Sequence, residues 1–166
     1  MIKKLILVAL CGGLSVSLNS CGKSKDSTTG KDSSPGTSVS ASKGVGEDLA
    51  KKILATYDEA VAEVAKAANP KPESAVLTPQ IEKIITTYTA KMAALNTEML
   101  ALKAKDVAAF GAANSYMGSN RGKHVAKADT TLTVPIKYYN LDKGDKAMVE
   151  MLTTKLVAMI DVAVKQ

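Results

Sequence analysis

Apolar residues recur along the chain from about residue 45 at steps of three and four, the spacing that lines one face of an α-helix. The clearest run is Ile81, Ile85, Tyr88, Met92, Leu95, Met99 and Leu102, an unbroken 4-3 alternation over three heptads. Thr78 and Pro79 predict its start, with Thr as N-cap and Pro at the first helical position. A second stripe, Leu49, Ile53, Ala60, Val61 and Val64, predicts a helix from about Gly46 to Ala68, ended by Asn69-Pro70. A third, Val149, Leu152, Leu156, Met159 and Ala163, predicts a last helix opening near Asp142.

Between these lies weaker patterning. The seam loses its phase at Asp106, which predicts a break there and a shorter helix through Val107, Phe110 and Tyr116 to Gly118, although Lys103-Ala104-Lys105 would also allow continuity. Residues 119–141 read as a loop, with Gly118-Ser119-Asn120, Gly122 and the β-prone run Thr130 to Pro135. Three long helices and one short one imply an all-α fold, a small antiparallel helical bundle over residues 45–166. The 81–102 stripe is then the core face of that bundle, or alternatively a coiled-coil seam to another chain. A chain of 166 residues leaves no room for a second core at about 150 residues per domain.

The N-terminal pattern is different in kind. Met1-Ile2-Lys3-Lys4 is basic, Leu5 to Leu10 is continuously apolar, and Leu18-Asn19-Ser20-Cys21 closes the segment, the layout of a secretory signal peptide. A small residue directly before Cys, with Leu three residues before it, resembles the lipobox of bacterial lipoproteins. The resemblance covers the first 21 residues and implies cleavage after Ser20 and a diacylglyceryl group and an N-acyl chain such as palmitate on Cys21; beyond these acyl groups no cofactor is expected. It implies an exported protein held on the bacterial envelope, and Gly22 in place of an acidic residue tilts the expectation toward the outer membrane. Two other readings stay open: an uncleaved anchor over residues 5–22, and cleavage after Ser17 at Ser15-Val16-Ser17. Cleavage before Cys21 removes Cys11, so no disulfide can form within the mature chain.

Residues 21–44 follow as a Ser/Gly/Lys-rich tether, with too few apolar residues to offset the cost of ordering it. The domain organisation expected is therefore signal peptide 1–20, acylated Cys and tether 21–44, and bundle 45–166. Several acyl chains on one residue hold a protein on a bilayer, since each buried methylene contributes about 0.8 kcal/mol.

Candidate chemistry is sparse. His124 is the sole His and Cys21 is acylated, so a zinc or haem site lacks ligands and no metal is expected. Ser119, His124 and Asp129 form a Ser/His/Asp set without a nucleophile elbow. The carboxylate pairs Glu47/Asp48, Asp58/Glu59 and Asp142/Asp145 fit helix starts or solvent faces, with Glu47 four residues before Lys51. No catalytic residue is assigned and no enzyme is expected. Arg121, Lys123, His124 and Lys127 gather positive charge within seven residues and could meet an anionic partner, or simply form a solvated loop. Loss of Lys3 and Lys4 lowers the formal charge from +6 to +4, dispersed along the chain, which argues against nucleic acid.

Three function classes remain. The leading one is a membrane-anchored, non-catalytic envelope lipoprotein binding a protein or envelope component. The alternatives are a structural lipoprotein that oligomerises through the 81–102 coiled coil, and a carrier of a hydrophobic ligand within the bundle. Oligomerisation is not favoured.

Overall fold

A computed structural model describes residues 36–165, and the regular elements in that range are all helical. Helix α1 spans Gly36–Ala68, α2 spans Ser74–Lys105 and α3 spans Val107–Lys137, extended by a π-helical turn at Tyr138–Asp142. Helix α4 (Lys146–Glu150), a second π turn (Met151–Lys155) and α5 (Leu156–Ala163) run on as one shorter rod. The fold is thus the expected all-α bundle of three long helices and a short one. The expected signal peptide, Cys21 and the tether as far as residue 35 lie outside the described residues.

Cross-helix contacts give the directions. Lys52 meets Glu98 and Tyr88 meets Glu63, so α1 and α2 are antiparallel. Gly46 faces Ala109 and Asp58 faces His124, so α1 and α3 run together. Lys143, just before the last rod, meets Glu73 at the start of α2, and Ala163 at its end lies by Asn96, so the rod runs with α2 and opposes α3, and the chain goes up, down, up and down. The core is apolar throughout, from Ile53, Leu54 and Tyr57 of α1 through Ile81 and Met92 of α2 to Leu152 and Ile160 of the last rod. Helices α1 and α3 approach most closely where small residues face each other. Gly46, Ala50, Ala109 and Ala113 are all buried, and a Cβ added at Gly46 would overlap the Ala109 carbonyl.

The break at Asp106 is present as expected. Its backbone is extended (φ −149°, ψ 90°) and its carboxylate accepts the Ala109 N–H at 2.9 Å, capping α3. Four boundaries differ from the sequence reading. Helix α1 starts at Gly36, so residues 36–44 of the expected tether are helical, and Gly36 follows Pro35. Helix α2 starts at Ser74 rather than beside Pro79, because an extra turn buries Leu77 completely. The last rod opens at Lys146, three residues after Lys143, with Gly144 at φ +64° making the turn and Asp145 accepting the Met148 N–H.

The largest difference is the loop expected over residues 119–141, which is the continuous second half of α3. Its core positions Met117, Ala128, Leu132, Pro135 and Tyr139 keep helical phase, while the intervening positions in that phase are Arg121 and His124. The β-prone threonines are accommodated by hydroxyl bonds to carbonyls four residues back, from Thr130, Thr131 and Thr133.

Candidate functional site

The basic residues singled out in the sequence sit on successive turns of α3 rather than in a loop. Residues 121, 124 and 127 are separated by three, so they lie along one side of the helix, next to α1 and α5, with Lys127 itself exposed. Arg121 Nη2 donates to Asp161 of α5. Lys127 Nζ donates to Asp58 Oδ2 of α1 at 2.7 Å. His124 Nδ1 lies 2.9 Å from Asp58 Oδ1, and because an ionised carboxylate can only accept, Nδ1 carries the hydrogen. Lys123 turns outward onto Asn120 Oδ1 at 3.0 Å and has no carboxylate partner among the described residues. The cluster therefore binds three helices to one another.

Asp58, expected on a solvent face, is the centre of this arrangement, with its side chain only 25% exposed. Burial pushes its carboxyl upward, but the hydrogen bonds and charges of Lys127 and His124 outweigh burial and hold it below the ordinary carboxylate value. Next to it in sequence, Tyr57 is fully buried and its hydroxyl has no hydrogen-bond partner. Burial, reinforced by the charges of Asp129 and Asp58, pushes the Tyr57 phenol up to about 12. Lys51, placed to meet Glu47, instead bonds Asp48 at 2.9 Å.

Beside the cluster, α3 and α5 stand apart. A groove of about 770 Å³ runs between them, with Gly118, Gly122 and Ala126 along one wall and Val157 and Val164 along the other. An added Cβ at Gly118 or Gly122 would meet nothing within 4 Å. Arg121 lies in this groove, bridging it to Asp161, and its Nε is buried without a partner. Tyr57, Asp161 and the groove are not singled out by the sequence pattern, and Asp58 enters it only as half of a solvent-face carboxylate pair. A glycine pair four residues apart is the one sequence signal for the groove, and without the helix it reads as a loop.

The 81–102 stripe faces the bundle interior. Ile81, Tyr88, Met92, Leu95 and Met99 are buried, while Ile85 and Leu102 are half-buried. The face that would join a second chain along that whole seam is occupied by α1 and α5 of the same chain. Ser119, His124 and Asp129 lie at intervals of five on one helix, which turns each about 140° from the next, so they do not converge. Among the described residues no group of three or more His, Cys, Asp or Glu comes together to hold a metal, and no helix is long and apolar enough to cross a membrane. Cys21 lies outside the described residues. No family model, curated protein or solved structure matches the chain.

Proposed function

We propose that the chain is a bacterial envelope lipoprotein, anchored through acyl chains on Cys21 and held in the outer rather than the inner membrane, whose non-catalytic bundle docks a protein or envelope component along the α3–α5 groove. The observation that carries the reading is the run from the basic Met1–Lys4 segment through the apolar stretch to Leu18-Asn19-Ser20-Cys21. The docking part draws on the groove, a shallow and mainly apolar channel that Arg121 and Asp129 also line, with glycines along one wall that leave room for close approach. A binding role also suits a molecule whose charged side chains near the groove are engaged in holding helices together.

Site-specific photocrosslinking in the native cell tests it. A photoreactive residue at Gly122 or Val157 should give one reproducible adduct, and the same probe on the outer face of α2, at Thr86, should not. Adducts that are absent at the groove positions, or no different from those at Thr86, would overturn the docking site. A small apolar molecule retained in native mass spectra, and lost when Gly122 is replaced by Leu, would move the reading to the hydrophobic-ligand carrier.

A further inference from the structure

Beneath the α3–α5 groove lie two buried polar atoms without partners. Steps of three, four and seven from Ala60, Ile53 and Val64 put Tyr57 on the buried face of α1, between the side where Asp58 meets α3 and the side where Glu59 meets Lys91 of α2. Helix α5 packs between α2 and α3, with Ala163 beside Asn96 and Asp161 on Arg121, so it stands across the core from α1 and Tyr57 points toward it. Asp58 is level with His124, one turn of α3 from Arg121, which brings the Tyr57 hydroxyl to the height of the Arg121–Asp161 bridge. Of the three charged groups that act on this phenol, Asp129 and Arg121 line the groove. Tyr57 is 0% exposed and its hydroxyl is unpartnered, and so is the buried Nε of Arg121.

Together these groups call for an acceptor. The Nε–H only donates, and the phenol keeps a hydrogen to give even if its oxygen accepts from Nε. Charge narrows the choice further. Arg121 is matched by Asp161, while Asp129 lines the groove without a cationic partner among the described residues, so the surplus is negative and an anionic head group is repelled. Met117, Val125, Val157 and Val164 make the walls apolar, and about 770 Å³ is the size of a ligand pocket. We propose that the α3–α5 groove takes a neutral acyl ester, an apolar chain whose uncharged carbonyl oxygen accepts from Tyr57 and Arg121.

This inference rests on the groove reading above and names the envelope component that the groove takes. The choice of an ester over other neutral carbonyls rests on the lipoprotein reading, since an acyl-anchored bundle is held beside a bilayer built of acyl esters. The Arg121–Asp161 pair that spans the groove is 40% and 53% exposed, and exposed pairs hold weakly, so an entering chain can part it. Entry lies beside Gly118 and Gly122, where an added Cβ would meet nothing within 4 Å. A buried hydroxyl without a partner adds no stability, so binding accounts for a Tyr where Phe would pack as well.

Photolabelling of the full lipidated chain in bilayer nanodiscs tests it, with the methyl ester of a diazirine-bearing long-chain fatty acid as probe and the free acid as its anionic counterpart. Peptide mass spectrometry should place ester adducts on residues 117–126 of α3 and 157–164 of α5, about fivefold above the acid. Tyr57→Phe should cut the ester adducts about fivefold, as loss of one hydrogen bond does, and leave those of a diazirine alkane without a carbonyl unchanged. Gly122→Leu fills the groove and should remove both. The first change is nearly isosteric and the second is at an exposed position, so both variants keep the helical circular dichroism of the parent. Ester labelling that ignores Tyr57→Phe, the result expected if the hydroxyl holds only a buried water, overturns the proposal, as do acid adducts equal to ester adducts or no ester adducts in the groove. The groove reading fails separately, when crosslinks in the cell at Gly122 and Val157 match those at Thr86.

Discussion

At the scale of single residues, two glycines on packed helices have opposite consequences. Gly46 is where the α1 backbone meets the Ala109 carbonyl, so Gly46→Ala forces two helices apart and should cost about 1–3 kcal/mol in urea unfolding. Gly122 has open space above its Cα, so Gly122→Ala should be neutral or stabilise by up to about 1 kcal/mol through helix propensity. Equal effects at both positions would mean that the close α1–α3 contact is wrong. Tyr57 carries a buried hydroxyl without a partner, so Tyr57→Phe should leave stability unchanged or raise it by about 1 kcal/mol. A clear loss in the same unfolding assay would show that the hydroxyl has found a partner after all. Asp58 is a carboxylate whose folded value lies below its unfolded one, so its contribution is complete at neutral pH and fades as acid takes the pH down through the folded value. Asp58→Asn should cost about 1 kcal/mol at pH 7 once solvent screening is allowed for. The wild-type and variant stabilities should converge on acidification below about pH 4, near the ordinary carboxylate value. A gap that persists unchanged to pH 2 would assign the loss to packing instead.

At the scale of elements, the parts read correctly were those whose apolar stripe is uninterrupted. The 81–102 stripe and the stripe of the last rod identify their buried faces nearly residue by residue, because an uncharged, mostly large apolar side chain occupies each step. Helix α3 was hidden because Arg121 and His124 hold two steps of its inner stripe, and glycines and alanines hold neighbouring ones. Those charges belong inward only because Asp58 and Asp161 wait on other helices, and that pairing is tertiary information absent from any local window. The β-branched run from Thr130 was misleading for a related reason, since hydroxyl bonds to carbonyls one turn back satisfy it within a helix. The single-residue break was legible because Asp106 combines loss of phase with a capping side chain. Asp106→Ala should therefore loosen the start of α3, seen as faster amide hydrogen exchange at Val107 to Phe110 with the middle of α2 unchanged. Protection that stays level across this junction would mean that tertiary packing, and not the cap, sets the boundary.

At the scale of the whole molecule, the bundle owes its closure to an apolar core without buried charge among the described residues, and its cross-helix polar contacts lie at the margins of that core. The candidate site was barely legible, because a groove arises from the distance between two helices and not from any motif along one. The proposed envelope residence rests on a different kind of feature: the lipoprotein reading takes the first 21 residues as a linear signal, independent of the fold. The whole account turns on that signal. Intact-mass measurement of the protein recovered from its native cell tests it most directly. The account predicts a chain that begins at Cys21 and carries the added mass of a diacylglyceryl group and an N-linked acyl chain, and an unacylated chain, or one that begins at any other residue, would contradict it.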